Sequence, residues 1–360
     1  MNTNNYCIIM AGGTTTSFWP LTKGMKCKQF IDLLGTGETL VQATFRRFAR
    51  VCPRENIIVV TTAAMAERVR QQIPGLRPYQ VLAEPERRNT APCVAYAAAI
   101  INDINPNANI IVAPSDHAIF NEDLFVSSIE QAIRVADRYD WIVLLGVQPT
   151  QPNTKYGYIQ FDETPATEDA RELHRVVTFT EKPPLEMAVR FIATGEFLWN
   201  TGIFVWRLPV LMEAYRRHLP SMAEQFAQVT LDCSPEIINE VYSQMEPISL
   251  DFGIMEKAEN VYVMNANFGW SDVETWDSLF ESVEKDGERN VVASGRVITY
   301  DTHNTIFHVP EDVAVVAHGL ENYVVASNGK IILIAPRDRQ EMTIKYASDL
   351  ELLLLSEGKH

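Results

Sequence analysis

The first half of the chain alternates short apolar runs rich in β-branched residues with longer stretches whose apolar positions recur every three or four residues. The short runs predict buried strands, and the longer stretches predict amphipathic helices. This alternation is typical of a parallel sheet covered by helices, in which ligands bind beyond the carboxyl ends of the strands. The predicted strands are Tyr6–Met10, Asn56–Thr61, Asn109–Ala113 and Trp141–Gly146, and the predicted helices are Thr39–Val51, Ala63–Gln72, Ala91–Asn102 and Phe125–Arg138.

The pattern changes twice further along the chain. From Arg171 to Trp276 it is less regular, and it predicts strands at Val176–Thr180 and Ile203–Trp206 and helices at Glu186–Ala193 and Val210–Arg217. After Asp286, short apolar runs punctuated by Gly, Asp and Asn predict a small β domain closed by a C-terminal helix. We therefore expect two domains, residues 1–285 and residues 286–360. The strands predicted in the second domain are Val291–Ala293, Arg296–Tyr300, Val313–His318, Tyr323–Ser327 and Ile331–Ala335.

Composition narrows the class of protein. The 360 residues are 46% hydrophobic and 21% charged, with a formal net charge of −15. An acidic chain disfavours nucleic acid as a general partner, because phosphate backbones are held by clustered Lys and Arg. No stretch predicts a membrane span or a secretory signal, so a cytoplasmic protein is expected. The five cysteines show neither zinc spacing nor a disulfide framework and are expected to be reduced.

A glycine pair follows the first predicted strand. Gly12 and Gly13 come directly after Tyr6–Met10, where glycine lets main-chain N–H groups approach a phosphate. Their spacing matches neither the dinucleotide-binding fingerprint nor the P-loop, which disfavours a dehydrogenase or a Walker-type ATPase. Two glycines alone are also compatible with an ordinary turn.

Two further segments place polar groups at strand ends. The segment Glu84–Pro92 ends a strand and begins a helix, for which Asn89 or Thr90 is a suitable N-cap. Asp116 follows the buried strand Asn109–Ala113, at a position where a hard cation and phosphates could meet it. His117 is either a base or ligand or, as we favour, a hydrogen-bonded structural residue.

The order and content of these segments resemble the sugar-1-phosphate nucleotidyltransferases over nearly the whole chain. The first loop agrees with that family's G-G-x-G-x-R-x-W-P and P-K-Q-F motifs at Gly12, Gly13, Trp19, Pro20, Lys28, Gln29 and Phe30. Glu84–Pro92 matches its E-P-x-x-R-N-T-A-P box, and Pro114–His117 matches its P-S-D-H motif. Further matches follow in the family's order at Gly146–Thr150, Tyr156–Ile159, Phe179–Pro183, Trp199–Phe204, Asp251–Lys257 and Phe268–Val273.

The resemblance implies a fold and a set of site residues. The implied fold is α/β, with a Rossmann-like mixed, mainly parallel sheet of the nucleotide-diphospho-sugar transferase type and a small C-terminal β domain. The implied ligands of Mg²⁺ are Asp116 and Asp272, and the implied phosphate-binding residues are Lys28 and Lys182. The nucleotide is expected to contact Gly12, Gly13, Glu84, Asn89 and Thr90, and the sugar is expected to contact Gly157, Glu181 and Asn200.

The implied activity is transfer of GMP from GTP to mannose 1-phosphate, which gives GDP-mannose and pyrophosphate. A carboxylate such as Glu84 could accept hydrogen bonds from the ring N–H and the amino group of guanine, a pair that uracil and thymine cannot supply. GTP and mannose 1-phosphate are therefore the expected partners, with no nucleic acid and no membrane. A homodimer is left open.

The chain departs from the family's pattern at residues that bear on activity. Thr15 replaces a glycine, and Ser17 replaces an arginine that, in the family, grips the triphosphate. A neutral hydroxyl cannot replace a charged planar fork, and loss of one such donor typically costs about 3–4 kcal/mol of transition-state stabilisation. Glu274 adds a carboxylate next to Asp272 where the family has glycine. Two alternatives follow, a non-catalytic relative that binds nucleotide or sugar nucleotide and a nucleotidyltransferase that uses another nucleoside triphosphate.

Overall fold

A computed structural model describes residues 2–13, 17–23, 27–168 and 170–356 of the chain. Its strands are, in chain order, β1 (Asn5–Met10), β2 (Ile57–Thr62), β3 (Val81–Glu84), β4 (Asn109–Pro114), β5 (Ala118–Ile119), β6 (Ile142–Val147), β7 (Gly157–Thr167), β8 (Ala170–Glu181), β9 (Phe197–Arg207), β10 (Val261–Asn265), β11 (Trp270–Ser271), β12 (Val291–Ser294), β13 (Arg296–Tyr300), β14 (Ile306–His308), β15 (Ala314–His318), β16 (Tyr323–Ser327) and β17 (Ile332–Pro336). Its α-helices are α1 (Leu40–Phe48), α2 (Ala66–Gln72), α3 (Thr90–Ile104), α4 (Glu122–Tyr139), α5 (Leu185–Thr194), α6 (Leu208–His218), α7 (Pro220–Phe226), α8 (Pro235–Ser243), α9 (Trp276–Ser282) and α10 (Thr343–Ser356).

The chain divides into two compact units, each built from separated segments. The first unit contains Met1–Gly12, Thr44–Ser115 and Ile119–Trp270, and the second contains Gly13–Ala43, Asp116–Ala118 and Ser271–His360. The second unit thus includes residues 286–360 together with earlier parts of the chain. The domain boundary expected after residue 285 stays a prediction.

A mixed sheet forms the centre of the first unit. Over the described residues it has nine strands in the order β3-β2-β1-β4-β9-β6-β10-β8-β7. The pairs β1–β2, β2–β3, β1–β4 and β6–β10 are parallel, while β8 and β9 run against their neighbours. The predicted fold class, a mixed and mainly parallel sheet with helices, is confirmed.

Both faces of this sheet are covered, which explains why its strands have continuous apolar sequences. Tyr6 and Ile8 of β1 belong to one apolar core, and Cys7 and Ile9, which alternate with them, are also fully buried. Burial on both faces is the usual situation of parallel strands. Helix α3 belongs to the same core, and every residue from Ala91 to Ile101 is buried, so this helix lies in the interior rather than on the surface.

Strand register places the carboxyl ends of the first strands at one edge of this sheet. Met10 of β1 pairs with Val60 of β2 and with Pro114 of β4, and Thr62 of β2 pairs with Glu84 of β3. The loops that leave these strands therefore begin side by side. In open α/β sheets, ligands bind beyond the carboxyl ends of the parallel strands, which places the expected site at this edge.

The second unit contains the C-terminal strands, which wind in a parallel coil. Strands β12, β14 and β16 pair in parallel in one sheet, and β13 and β15 pair in parallel in another, so the chain alternates between the two sheets. Strand β17 turns back and pairs antiparallel with β16. Apolar side chains from these strands pack with α9 and with earlier residues such as Phe18. The rings of Phe18 and Trp276 pack edge to face, with their centroids 4.9 Å apart.

None of the helices in the described part of the chain combines the length and the apolar character that crossing a bilayer requires.

Candidate functional site

Glu84 is a buried carboxyl group at the end of β3. The residue is 4% exposed, and its Oε1 accepts a hydrogen bond of 3.1 Å from the hydroxyl of Tyr242 on α8. Its Oε2 would lie 3.4 Å from a Cβ placed on Gly12, so the main chain after β1 passes within van der Waals reach of the carboxyl group. Burial raises the pKa of Glu84 to about 7, against smaller opposing effects of the Tyr242 hydrogen bond and of Arg87.

Asn89 and Thr90 make contacts that organise the start of α3. The Asn89 side chain accepts a 2.9 Å hydrogen bond from the N–H of Thr90, the first residue of α3. The Thr90 hydroxyl oxygen accepts a 2.8 Å hydrogen bond from the N–H of Leu250. Asn89 has φ 70° and ψ −167°, a region used almost only by glycine. The capped helix is thus observed, and nucleotide binding by these two residues stays a prediction.

Gly157, Glu181 and Asn200, the three predicted sugar-binding residues, lie together in the first unit. Antiparallel pairing of β7 with β8 sets Gly157 opposite Glu181. A Cβ placed on Gly157 would lie 2.6 Å from Glu181 Oε2 and 3.7 Å from Asn200 Nδ2. The missing side chain at residue 157 therefore lets the Glu181 carboxylate lie close against the main chain, beside the Asn200 amide, and these two groups suit sugar hydroxyls.

Asp251 is a neighbour of this cluster that sequence reasoning missed. Its Oδ1 accepts a 2.8 Å hydrogen bond from Asn200 Nδ2. Burial, followed by the negative charge of Glu181, raises the pKa of Asp251 to about 6. Asp251 lies in the segment Asp251–Lys257 that matches the family's sequence, and this acid in a matched motif was the signal available.

Lys182 follows Glu181 in a left-handed backbone conformation, with φ 47°. Its N–H donates to the Tyr156 carbonyl at 3.2 Å, and its Nζ lies 3.5 Å from Glu181 Oε1. The side chain is 64% exposed, so the ammonium group can reach a ligand without leaving a buried position.

Lys28, Asp116 and Asp272 come together in the second unit. The Lys28 ammonium group lies 3.1 Å from Asp116 Oδ2 and donates to the Asp272 carbonyl at 2.6 Å and to the Val273 carbonyl at 3.4 Å. Lys28 is 6% exposed. Segments that are far apart in sequence, the one following β4 and the one following β11, thus meet on a single ammonium group.

Asp116 is ionised in this environment. Its burial alone would raise its pKa, but the positive charge of Lys28 and the nearby His117 lower the pKa below its ordinary value. His117 Nε2 lies 3.9 Å from Asp116 Oδ1. The imidazole is therefore a neighbour of the carboxylate, at a distance too long for a hydrogen bond, and the structural role favoured for His117 stays a prediction.

The turn after Asp272 has an unusual backbone. Val273 has φ 44° and is fully buried, although β-branched residues are strongly disfavoured in the left-handed region. The N–H of Glu274 donates to Asp272 Oδ1 at 3.3 Å. Strain of this kind persists where surrounding contacts impose it, and it concentrates at functional sites.

The donors around Asp116 suit a hard divalent cation. Within the described ranges, no group of three or more His, Cys, Asp or Glu side chains gathers into a protein cage. Magnesium does not require one, because one or two carboxylates with substrate oxygens are its usual ligands. The Asp116 carboxylate is ionised, as a metal ligand must be, and the positive charge that it stabilises in this structure is that of Lys28 Nζ, at 3.1 Å.

The first loop is described in part. Gln29 donates from Nε2 to the Gly13 carbonyl at 3.0 Å, and a Cβ placed on Gly13 would meet no described atom within 4 Å. Ser17 lies in a turn immediately before the fully buried Phe18. Thr15 lies outside the described residues.

Comparison with known proteins identifies the class to which this fold and these groups belong. Residues 6–289 match the family described as Nucleotidyl transferase, and the chain belongs to that family. The chain is accordingly a nucleotidyltransferase, as expected from the order of its motifs.

Individual proteins of this family are similar to the chain over most of its length. The chain is 33% identical to the xanthan biosynthesis protein XanB of Xanthomonas campestris pv. campestris (strain B100), over 98% of this chain and 74% of the relative. It is 30% identical to a mannose-1-phosphate guanylyltransferase of Escherichia coli (strain K12), over 99% of this chain and 74% of the relative. A crystal structure from Thermus thermophilus, described as mannose-1-phosphate geranyltransferase, superposes with a TM-score of 0.86 at 31% identity, over 97% of this chain and 100% of that one.

Proposed function

We propose that this chain transfers GMP from GTP to mannose 1-phosphate, with magnesium and in the cytoplasm. Relatives named mannose-1-phosphate guanylyltransferase support the substrate pair. The observation that carries the proposal is the convergence of the Asp116 carboxylate and the Asp272 main chain on Lys28 Nζ. The absence of a nucleic-acid partner and the formation of a homodimer stay predictions.

The proposed reaction is an in-line displacement at phosphorus. A phosphate oxygen of mannose 1-phosphate attacks the α-phosphorus of GTP, and the bond between the α-phosphorus and the bridging oxygen breaks. That oxygen leaves with the electron pair as part of pyrophosphate. No protein nucleophile is required, because such reactions depend on positioning and on neutralisation of charge.

Groups of the first unit recognise the two substrates in this proposal. Glu181 and Asn200 bind sugar hydroxyls over Gly157, and Lys182 neutralises the sugar phosphate. Glu84, in its ionised form, accepts hydrogen bonds from guanine. The low exposure of Glu84 strengthens such bonds, since they compete with little water.

Groups of the second unit carry the charge neutralisation. Asp116 and Asp272 would hold Mg²⁺, which when bound supplies positive charge to phosphate oxygens. Lys28 keeps the Asp116 carboxylate ionised and holds the carbonyls of the turn after Asp272. The contact of Lys28 with phosphate remains a prediction, because in the structure its ammonium group is engaged by protein oxygens.

A pyrophosphate-release assay with GTP, mannose 1-phosphate and magnesium tests the proposal. Sustained turnover is expected in the wild type, and Asp116→Asn should lower kcat by about a hundredfold or more, because a charged oxygen ligand of the metal ion is lost. The matched control is Asp232→Asn, which changes an exposed aspartate in the first unit and should leave kcat unchanged. Turnover of Asp116→Asn at the wild-type rate would contradict the proposed role.

The same assay separates the alternatives. Tight binding of GTP or GDP-mannose without turnover, together with a gain of activity on combining Ser17→Arg with Thr15→Gly, would identify a non-catalytic relative. A preference for UTP or dTTP in a competition assay would instead identify another nucleotide donor.

A further inference from the structure

Asn200 is held at both ends of its side-chain amide. Gly202 donates its N–H to Asn200 Oδ1 at 2.9 Å, and Asn200 Nδ2 donates to Asp251 Oδ1 at 2.8 Å. A main-chain N–H can only donate, so the atom facing Gly202 must be the amide oxygen. The nitrogen therefore faces Asp251, whose carboxylate accepts from it.

Two hydrogen-bonding positions of the Asn200 amide remain after these contacts with described residues. An amide has two N–H donors and two lone pairs on oxygen, and these contacts take one of each. The amide nitrogen lies 3.7 Å from a Cβ placed on Gly157, and Glu181 Oε2 lies 2.6 Å from the same point. The amide is thus fixed beside Gly157 and the Glu181 carboxylate, with one N–H donor and one lone pair left for a ligand.

Asp251 lies in an acidic neighbourhood that would otherwise disfavour its charge. Burial and the carboxylates of Glu181 and Glu256 raise its pKa, and the Asn200 hydrogen bond opposes them. The amide and the carboxylate thus support each other, because the N–H stabilises the ionised form and the ionised form is the stronger acceptor.

We propose that Asp251 is a positioning residue for sugar recognition, which orients the Asn200 amide so that its remaining N–H and lone pair meet hydroxyls of the sugar phosphate. The proposal rests on the sugar-binding role proposed above for Asn200. Asp251 acts through Asn200 and need not touch the sugar. Its loss leaves the amide held only at its oxygen, by the Gly202 N–H, so the amide nitrogen is less well oriented, which weakens hydroxyl recognition without altering nucleotide binding.

The first test compares substitutions at residue 251. Asp251→Ala should raise the KM for mannose 1-phosphate by about tenfold or more while the KM for GTP changes by less than about twofold, since a hydrogen bond to a charged group is lost at one substrate only. Asp251→Asn should stay within about threefold of the wild type, because its amide oxygen can still accept from Asn200. Thermal unfolding of each variant verifies the fold, and Asp251→Ser serves if Asp251→Ala does not fold.

Glu256→Ala is the matched control. It removes a neighbouring carboxylate of the same segment that, within the described part of the chain, has no hydrogen bond to Asn200, and it should leave both KM values within about twofold. An equal rise in the two KM values for Asp251→Ala would overturn the proposal. So would an Asp251→Asn variant as impaired as Asp251→Ala, or a Glu256→Ala variant with the same defect.

A double-mutant cycle with Asn200→Ala asks whether Asp251 acts through that amide. If it does, Asp251→Ala should add little to the KM defect of Asn200→Ala, whereas independent roles would multiply the two effects.

Calorimetric titration with GDP-mannose compares the same variants by their dissociation constants and does not depend on turnover. If the wild type binds GDP-mannose but releases no pyrophosphate, the proposed activity is wrong. The Asp251 proposal is then tested by the dissociation constants for GDP-mannose alone. A wild type that does not bind it would overturn both.

Discussion

Three residues that are predicted site residues or lie next to one have backbone conformations that L-residues rarely adopt. Asn89, Lys182 and Val273 have φ values of 70°, 47° and 44°. Asparagine tolerates positive φ in many turns, but the ψ of −167° at Asn89 lies in a region used almost only by glycine. All three residues therefore hold these conformations at a cost in free energy. Sequence patterns could not indicate these conformations, because none of the three positions holds a glycine.

Gly157→Ala tests the proposed sugar site by adding a single methyl group. The new methyl group would lie 2.6 Å from Glu181 Oε2, which is the end of a flexible side chain, so the carboxylate can move away and the fold should survive. We expect the melting temperature to change little and the KM for mannose 1-phosphate to rise by about tenfold or more, because the carboxylate leaves its place beside Asn200. Gly287→Ala is the control, since a Cβ there meets no described atom within 4 Å. Unchanged kinetics for Gly157→Ala would argue against sugar binding at this point.

Glu84→Gln should have opposite effects on stability and on substrate binding. The pKa of this carboxyl rises from its ordinary value of 4.5 to about 7 in the folded protein, so its ionisation costs stability as the pH rises through that interval. Glutamine cannot ionise, and the variant should therefore be more stable than the wild type above pH 7, by up to about 3 kcal/mol, and equally stable below pH 4.5. Urea denaturation at the two extremes measures this difference.

The same variant should bind GTP less well. Ionised Glu84 is the proposed acceptor for guanine, so the wild-type KM for GTP should fall as the pH rises through about 7, and the KM of Glu84→Gln should be higher and independent of pH. Glu67→Gln, an exposed change on α2, is expected to alter neither property. Improved GTP binding by Glu84→Gln at pH 8 would contradict the guanine contact.

Whether a residue of the candidate site could be predicted from the sequence depended on whether its role leaves a pattern in the sequence. Motif positions such as Asp116 and Asn200 could be located because their residue types and spacing match the family. Tyr242 could not, because a tyrosine in an amphipathic helix has the same pattern whether its hydroxyl meets water or a buried carboxyl group. The contacts of Lys28 with the Asp272 and Val273 carbonyls were likewise invisible, since a main-chain oxygen carries no sequence signal.

Secondary-structure elements were predictable where a buried face gave them a regular pattern. Strand β1 and helix α4 lie within a few residues of their predicted bounds, because the sheet buries β1 on both faces and α4 on one. Strands β7 and β10 were missed. The outer half of β7 is exposed and includes Pro165, so it lacks the alternation that predicts a strand. Strand β10 was missed although it buries Val261, Val263 and Met264 and is as long as strands that were predicted.

Helix α9 begins with a capping box that should be measurable. Thr275 Oγ1 accepts from the N–H of Ser278 at 2.9 Å, and Ser278 Oγ accepts from the N–H of Thr275 at 2.9 Å. Thr275→Ala should lower the free energy of unfolding by about 1 kcal/mol, because a helix N–H loses its partner. Thr275→Ser keeps the hydroxyl and should lose less, as urea denaturation would show. Equal losses for the two variants would assign the effect to the methyl group of threonine instead.

At the scale of the whole molecule, residues near the N-terminus and residues of the C-terminal region together form the core of the second unit. Phe18 and Trp19 share a buried cluster with Ile306 and Val324. A chain ending at residue 285 would expose this surface and should therefore be poorly soluble or bind a hydrophobic dye such as ANS, since large apolar patches are unstable in water. A chain ending at Met342 keeps that cluster's strands and should retain a cooperative unfolding transition. A soluble, cooperatively unfolding fragment 1–285 would support the boundary expected from the sequence.

Strand β17 runs antiparallel to β16, and this change of direction affects how the C-terminal region can change in length. Parallel coils stack by repetition, so one more rung laid on β12, β14 and β16 would find the same neighbours as the last. The antiparallel return at β17, reached through Gly329 at φ 88°, brings that repetition to a stop. Whole rungs inserted or deleted ahead of Asn328 would leave this terminator in place, which makes the C-terminal region extensible by duplication without a change in how it ends.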